Sequence, residues 1–317
     1  MRTTFPRLLM ERLVVGLVTL LIVAIVVFSA TALLPGDVAE VLLGQAATPE
    51  AVAGLRTAMH LDEPAPIRFV YWLLGLLRGD LGQSYVNNLP IAELIGSRLP
   101  NTLKLAGITA AIAVPLSLFL GITAAVARDK PYDRVVSILT VAVISVPEFM
   151  TATLAVLIFS VWLGWLPALS HLSSIDSFGG LLRAYAMPVI TLTFVISAQM
   201  IRMTRASVIE TLDSPYIEMA RLKGASPRRV VLVHALPNAL GPIVNAMALS
   251  LSYLLGGVII VETIFNYPGI ARLMVDAVAT RDLPLIQSCA MIFCVGYLLL
   301  VTLADIVALM ANPKLRA

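Results

Sequence analysis

The fold class of this chain is decided by its first long apolar run, LVVGLVTLLIVAIVVFSATALL, residues 13–34. The run carries no charged side chain over 22 residues. The hydrocarbon core of a bilayer needs about 20 apolar residues per helix, and a soluble helix of that length would show a polar face. The run therefore predicts a membrane-spanning helix.

Runs of the same apolar character recur along the rest of the chain. Together they predict six spans, at Leu13–Leu34, Leu105–Ala127, Val135–Leu163, Ala186–Met200, Ala239–Val261 and Leu285–Leu309. The composition agrees, because 59% of the 317 residues are hydrophobic and 13% are charged, against about 25% charged in soluble domains. Mean hydropathy is +0.93. The predicted class is an all-α integral membrane protein, which excludes soluble, disordered and disulfide-framework proteins.

The distribution of basic residues predicts the orientation of these spans. With the N-terminus inside, the inside segments 1–12, 128–134, 201–238 and 310–317 hold 14 of the 22 Lys and Arg residues in 65 positions. The outside segments hold the other 8 in 115 positions. Short cytoplasmic loops carry the excess of Lys and Arg in membrane proteins, so both termini are expected in the cytosol. An alternative is that the first run is a signal peptide cleaved near Ala30-Thr31-Ala32, although 22 residues exceed the usual apolar length of about 7–15.

The predicted organisation has four parts. They are residues 1–34 (N-terminus and first span), 35–104 (extracytoplasmic), 105–309 (a core of five spans) and 310–317 (a cytoplasmic tail). Segment 35–104 is too long for a simple connector. Its stretch Pro64–Asp80 is apolar and aromatic, which predicts a helix at the membrane interface. The segment is either a packed cap over the bundle or a docking surface for an external partner.

The longest predicted cytoplasmic loop contains the sequence DSPYIEMARLKGASPRRVVLVHALPNAL, residues 213–240. Ser214-Pro215 and Ser226-Pro227 each place a capping residue before a proline at the first helical position. Gly224 accepts the left-handed backbone that ends a helix. The loop therefore predicts a hairpin of helices Pro215–Lys223 and Pro227–Ala235, with Pro237 closing the second. A short capped helix of mixed charge in the cytosol suits a helix-in-groove contact with a partner.

The pattern Glu218-x-Ala220-x-x-x-Gly224, followed by Leu236-Pro237, resembles the coupling motif of ABC importer permeases. Other stretches resemble the dipeptide, oligopeptide and nickel branch of that family over nearly the whole chain. They include Pro35-Gly36-Asp37, Gly79-Asp80-Leu81-Gly82-x-Ser84, Arg98-Leu99-Pro100-x-Thr102, Arg202-x-x-Arg205-Ala206, Arg281-Asp282-x-Pro284 and Asn312-Pro313. The chain departs from the family at Pro215, Met219 and Asn312, where an acidic residue, alanine and aspartate are usual.

The resemblance implies a permease subunit of the bacterial inner membrane that pairs with a second, homologous permease subunit. Two ATP-binding subunits, which hold ATP and Mg²⁺, and an extracytoplasmic solute-binding protein would complete the importer. Its solute would be a small peptide or a related polar compound, moved by alternating access. The residues assigned to coupling with the ATPase are Tyr216, Ile217, Glu218, Ala220, Arg221, Lys223, Gly224 and Pro237.

The chain itself shows no sign of an enzyme or of a cofactor site. It has no Gly-Lys dipeptide and therefore no phosphate-binding loop of the Walker type. Its three histidines lie far apart, and no metal-ligand spacing or nucleophile motif is visible. We expect no catalytic residue, no metal and no cofactor on this chain.

Glu148 follows Pro147 halfway along the third predicted span, where a carboxylate is costly and is by default a functional residue. The alternative is a carboxylate paired within the bundle. Gln199 and Asn245 are further polar residues in or near spans, and helix–helix hydrogen bonding is the default for each. Pro147, Glu148, Gln199 and Asn245 are the candidate residues of the translocation pathway.

Two other functions compete with the ATP-driven permease. A secondary transporter driven by an ion gradient is favoured only by Glu148 beside Pro147, since such proteins use broken helices near the midplane. A membrane-bound DNA-binding protein would have to use the hairpin as a helix-turn-helix, but the hairpin offers few base-reading side chains.

Overall fold

The computed structural model describes residues 4–33, 36–170, 172 and 177–311, and over these residues the protein is helical. The helices are α1 Thr4–Ala32, α2 Val38–Leu43, α3 Pro49–Ala58, α4 Ala65–Leu77, α5 Ile91–Val126, α6 Pro131–Ile144, α7 Glu148–Ala155, α8 Phe178–Leu212, α9 Pro215–Leu222, α10 Pro227–Arg229, α11 Leu236–Ile264, α12 Ile270–Thr280 and α13 Leu283–Ala311. Two π-helical segments, Val156–Trp162 and Val230–Ala235, follow α7 and α10 directly. Leu34, Pro35, Asn312 and Pro313 lie outside the described residues, as does the predicted tail from residue 312 onward.

Within the described residues, five helical segments are long and apolar enough to cross a membrane. They are Met10–Ala32, Ile91–Val126, Phe178–Leu212, Pro227–Ile264 and Leu283–Leu303. A sixth span exists if Pro131–Ile144 and Glu148–Trp162, which pass the same test together, are counted as one. The prediction of an all-helical protein with several apolar spans is confirmed for the described residues.

The third predicted span, Val135–Leu163, is not straight, and its helix breaks at Pro147, the residue that the sequence marks as an interruption. Its two halves meet at an angle of 103° across Ser145, Val146 and Pro147. Pro147 adopts an extended ψ of 144° and precedes the first turn of α7. The cause is that proline has no N–H to donate and disfavours helical backbone in the residue before it.

Two helices are much longer than the predicted spans because composition marks the apolar part of a helix and not its full length. Helix α5 begins at Ile91, 14 residues before the predicted span, within the segment expected to precede it. Helix α8 has 35 residues, where the apolar run suggested 15, and at 1.5 Å per residue it is about 52 Å long. The helix expected between Pro64 and Asp80 is present as Ala65–Leu77.

The chain divides into two compact units, each formed from stretches that are separate in sequence. The first unit comprises Leu103–Tyr267 and Tyr297–Ala317. Its centre is the pair α8 and α11, against which α6 and α7 also pack. Helix α5 approaches α8 closely at Gly121, where an added Cβ would lie 2.7 Å from the Thr204 Cβ. Glycine is needed at that crossing because no side chain fits between the helices.

The second unit comprises Arg2–Thr102 and Pro268–Gly296. Its buried core includes Ile91, Ile270, Leu283 and Cys289. The end of α1 packs on α4 through Phe28, whose ring centroid lies 5.3 Å from that of Phe69 in an edge-to-face arrangement. Aromatic pairs of this geometry stabilise a contact by about 0.5–1.5 kcal/mol beyond the area that they bury.

Candidate functional site: a helical hairpin and the helices that anchor it

The hairpin begins where the sequence predicts, but not through the predicted hydroxyl cap. Ser214 has the extended backbone of an N-cap residue and Pro215 occupies the first turn of α9. The Ser214 hydroxyl instead donates to the Thr211 carbonyl oxygen at 2.5 Å, on the preceding helix. The Ser214 side chain therefore ties the start of α9 to the end of α8.

The turn of the hairpin depends on the backbone of Gly224. This residue has φ +81°, a left-handed conformation that side chains other than glycine, asparagine and aspartate rarely adopt. No atom lies within 4 Å of the position that a Cβ would take. Within this chain, glycine is required here for its conformation and not for space.

The second helix of the hairpin does not end at Pro237, so that prediction is wrong. It begins at Pro227, passes through the π-helical turn Val230–Ala235 and runs on into α11. Pro237 lies in the first turn of α11, where its missing N–H is tolerated because the wider π-turn precedes it. The hairpin is thus joined rigidly to a long apolar helix.

One side of α9 is buried within the hairpin. Ile217 is fully buried and packs with Val230 and Ala235, while Leu212 and Ala225 cover the cluster. The sequence assigned Ile217 to the outer face, but its contacts hold the two helices of the hairpin together. Ala220 is half-buried.

The other side of α9 is exposed and contains large apolar side chains. Tyr216, Met219 and Leu222 are spaced three residues apart and are 44%, 53% and 76% exposed. Glu218, Arg221 and Lys223 are exposed around them. A short helix that presents apolar residues within a charged rim has the chemistry of a docking surface. We call these six residues the hairpin face.

Two ion pairs fix the first turn of α6 and the loop before it to α8 and its C-terminal end, which leads into the hairpin. The Arg205 guanidinium donates two hydrogen bonds to the Asp133 carboxylate, at 2.5 and 2.7 Å, and the Asp133 side chain is 4% exposed. The Arg128 guanidinium donates to the Asp213 carboxylate at 2.7 and 3.0 Å, with both side chains about half exposed. Asp213 directly precedes Ser214, so the start of the hairpin is tied to the loop between α5 and α6 as well as to α8.

The structure places Pro147 and Glu148 together at the break between α6 and α7. The Glu148 Oε2 atom lies 3.3 Å from the position that a Cβ on Gly257 would occupy, and the same position is 3.3 Å from Leu192 Cδ2. Glu148 is therefore packed against Gly257 of α11, close to Leu192 of α8, and Gly257 leaves room for its carboxylate. Its side chain is half-buried.

The other two candidate pathway residues are not part of this cluster. Gln199 bonds within its own helix, accepting from Arg202 Nη2 at 3.1 Å and donating to Met203 Sδ at 3.7 Å. It lies seven residues, about 10 Å, beyond Leu192 along α8. Asn245 is exposed and lies 12 residues, about 18 Å, from Gly257 along α11.

Several stretches quoted for the family resemblance meet within the second unit, although they are far apart in sequence. The Ser84 hydroxyl and the Tyr85 backbone N–H both donate to the Asp282 carboxylate. The Asn101 side chain donates to the Pro268 carbonyl oxygen at 2.9 Å. The Arg281 guanidinium lies against Gly36, where an added Cβ would collide with it. These residues are structural: they hold segments 36–102 and 268–296 together.

Sequence reasoning missed two contacts of this arrangement. They are the ion pair of Asp133 with Arg205 and the packing of Glu148 against Gly257. Asp133 and Arg205 are 72 positions apart, and a single sequence contains no signal that pairs them. Among the described residues, no group of three or more His, Cys, Asp or Glu side chains could hold a metal ion.

Comparison with known proteins identifies the family of the chain. Residues 117–317 match the family described as the binding-protein-dependent transport system inner membrane component, and residues 5–106 match the N-terminal part of such membrane components. The chain is 37% identical over 309 residues to a putative peptide transport system permease protein of Brucella abortus, covering 98% of both chains. It is 39% identical over 307 residues to the glutathione transport system permease protein GsiC of Salmonella typhimurium, covering 97% of this chain and 98% of the relative.

The match extends over both units, and the apolar helices are those that a multi-pass protein of the bacterial inner membrane requires. The chain accordingly belongs to the inner-membrane permease components of binding-protein-dependent ABC importers.

Proposed function

We propose that this chain is a permease subunit of an ATP-driven importer that moves short peptides, or a closely related polar solute, by alternating access. The relatives support the solute class, because one is named for peptide transport and another for glutathione, itself a small peptide. ATP and Mg²⁺ would be bound by two separate ATP-binding subunits. A second homologous permease subunit and an extracytoplasmic solute-binding protein complete the proposed assembly.

In the proposed topology the bent pair α6 and α7 forms one span, which gives six spans with both termini in the cytosol. The excess of Lys and Arg in segments 1–12, 128–134, 201–238 and 310–317 supports this orientation. The hairpin and the loop between α5 and α6 then lie on the cytoplasmic side. Segment 35–104 lies outside.

The observation that carries the proposal is the hairpin face. Exposed apolar side chains in water are unfavourable unless a partner covers them, and three occur on one helix of eight residues. Because Ile217 anchors the reverse side and α11 continues from the hairpin, a partner that moves α9 also moves a long apolar helix. An ATP-binding subunit seated on this face could therefore drive the spans.

Affinity purification of the chain from its native membranes, with mass spectrometry of the proteins that accompany it, tests this assignment. We expect a subunit with a phosphate-binding loop at two copies per complex. Recovery of the chain without such a subunit in several mild detergents would contradict the proposal.

Substitutions on the two sides of α9 should separate docking from folding. Leu222→Ala is expected to weaken association with the ATP-binding subunit and leave the thermal stability of the isolated chain unchanged, because Leu222 is 76% exposed. Ile217→Ala should instead lower the stability of the hairpin by about 2–5 kcal/mol, since it leaves a cavity. Co-purification and thermal denaturation in detergent measure the two effects. Equal loss of stability in both variants would refute the assignment of the two sides.

We further propose that Pro147 and Glu148 line the solute path, with Gln199 and Asn245 lining more distant parts of it. The break at Pro147 frees backbone groups of the third span, and such backbone is tolerated at membrane depth where it faces a cavity. A carboxylate at that break would attract the ammonium group of a peptide.

Glu148→Gln is accordingly expected to reduce uptake of peptides with a free amino terminus about tenfold, the effect of losing one charged hydrogen bond. N-acetylated peptides should be affected far less. Glu210→Gln, at an exposed position of α8, is the matched control and should transport both kinds of peptide normally. Equal loss for free and acetylated peptides would show that Glu148 has a structural role only.

An importer driven by an ion gradient is the second candidate, because Glu148 lies at a broken helix as proton-coupling carboxylates do. The two functions differ in their energy source. Uptake by proteoliposomes that stops without ATP and persists with an uncoupler supports the first. Uptake that persists without ATP and stops with an uncoupler supports the importer driven by an ion gradient.

A further inference from the structure

The second unit contains a cavity of about 510 Å³ that neither the hairpin nor the proposed path includes. Its walls come from the end of α1, the loop before α4, α4 itself, the segment around Tyr85 and the start of α13. A volume of this size falls within the range of about 300–1,000 Å³ that is typical of small-molecule sites.

One side of the cavity is aromatic. Phe28, Tyr71, Trp72 and Tyr85 line it. The ring centroid of Phe28 lies 5.9 Å from that of Trp72, and the Arg68 guanidinium lies 6.0 Å from the Phe28 centroid. Burial raises the pKa of the Tyr85 phenol, opposed by the nearby Arg68 charge, so Tyr85 stays neutral and can donate a hydrogen bond. This wall suits an apolar or aromatic side chain.

The cavity also carries charges of both signs. Arg68 is half-buried and forms no ion pair with a described residue, its only hydrogen bond being a long one of 3.5 Å to the Leu61 carbonyl oxygen. Glu63 is 37% exposed and lies 3.1 Å from His60 Nδ1. The nearby carboxylates are already engaged, since Asp37 pairs with Arg56 at 2.5 Å and Asp282 accepts from Ser84. A guanidinium without a carboxylate partner is left facing a cavity with an aromatic wall.

We propose that this cavity is a binding site for a zwitterionic short peptide, distinct from the path at Glu148. The peptide carboxylate would lie on Arg68, its ammonium group on Glu63, and an apolar side chain on the wall of Phe28, Tyr71 and Trp72. Two opposite charges flanking an aromatic wall complement a short peptide with both termini free. The ligand class rests on the proposed function, and under the proposed topology the site faces the extracytoplasmic side. The permease would then hold its solute before the path opens.

The proposal is tested by isothermal titration of the full-length chain in nanodiscs, with its co-purifying subunits but without nucleotide or solute-binding protein. The probes are the dipeptide alanyl-phenylalanine, its C-terminal amide and its N-acetyl form. The amide and the acetyl form are each expected to bind about tenfold more weakly than the free dipeptide, since each loses one charge-assisted contact.

Two variants assign these losses to individual residues. Arg68→Gln should weaken binding of the free dipeptide about tenfold and leave the amide unchanged, so that the preference for the free carboxylate disappears. Glu63→Gln should likewise weaken binding of the free dipeptide and leave binding of the N-acetyl form unchanged, so that the preference for the free amino terminus disappears. Arg78→Gln and Glu50→Gln, at exposed positions that do not line the cavity, are matched controls and should retain both preferences.

Three results would overturn the assignment. The first is an unchanged preference for the free carboxylate in Arg68→Gln. The second is the absence of dipeptide binding to the wild-type complex. The third is dipeptide affinity that falls as the phosphatidylethanolamine content of the nanodisc rises, which would indicate a lipid headgroup site. ATP-dependent dipeptide uptake is measured on the same complex, so uptake without binding refutes this site while the proposed function stands.

Discussion

Gly224→Val is expected to abolish solute uptake while the protein still inserts and accumulates in the membrane. Gly224 has φ +81°, and a side chain in the left-handed region costs about 1–2 kcal/mol, more when it is β-branched. To relieve this strain the turn between α9 and α10 must change, which moves the hairpin face relative to α11. A change of 1.4 kcal/mol in the free energy of docking between the hairpin and the ATP-binding subunit already changes the equilibrium constant tenfold.

The matched control for this variant is Gly224→Asn. Asparagine tolerates left-handed backbone, and no atom of this chain lies within 4 Å of the added Cβ. We expect the asparagine variant to keep most of its uptake. Uptake of labelled peptide by whole cells, normalised to the permease detected in the membrane, measures both variants. Normal uptake in Gly224→Val would show that the hairpin turn has no part in coupling.

Arg205→Ala is expected to lower the stability of the first unit by about 3–5 kcal/mol, because it leaves the Asp133 carboxylate buried without its partner. The Asp133 side chain is 4% exposed and receives two hydrogen bonds from Arg205. The same loss would release the loop between α5 and α6 from α8. The change is measured by heating the detergent-solubilised protein and using size-exclusion chromatography to determine how much folded protein remains at each temperature.

Two further variants make this result interpretable. Arg128→Ala breaks the other ion pair of the same loop, but both of its partners are about half exposed, and such pairs contribute about 1 kcal/mol or less. The double variant Arg205→Ala with Asp133→Asn removes both charges and should recover part of the lost stability. If the single variant Arg205→Ala proved as stable as the variant Arg128→Ala, that result would contradict the structural role given to the buried pair of Asp133 and Arg205.

The parts of the fold that follow from local chemistry were predicted from the sequence. The apolar runs identified the long helices, the Ser-Pro pairs identified the starts of α9 and α10, and Gly224 identified the turn between them. The errors occurred where local signals compete. Pro237 was expected to end a helix, but the π-turn at Val230–Ala235 lets the chain continue into α11. Pro147 was recognised as a break within the third span, and only the structure gives the angle of the bend, 103°.

The sequence named only part of the hairpin face, because the helical period does not show which side of a short helix is buried. Tyr216 and Ile217 are neighbouring apolar residues of one short helix, and the sequence assigned both to coupling with the ATPase. Which of them is buried depends on where the second helix packs, and Val230 and Ala235 cover Ile217 alone. The contacts between distant residues were not predicted either. Asp133 with Arg205, Ser84 with Asp282 and Glu148 with Gly257 join elements that no local pattern connects.

The sequence by itself determined that this is a helical membrane protein with a helical hairpin between two of its spans, because hydrophobicity and turn chemistry act over a few residues at a time. Only the tertiary structure decided how these elements are used. It turned Ile217 inward and left Leu222 exposed, buried the pair of Asp133 and Arg205, and placed Phe28, Tyr85 and Gln287 beside Arg68 and Glu63 in one cavity. Those outcomes depend on packing between residues far apart in the chain, where shape and the pairing of buried charge select one arrangement among many.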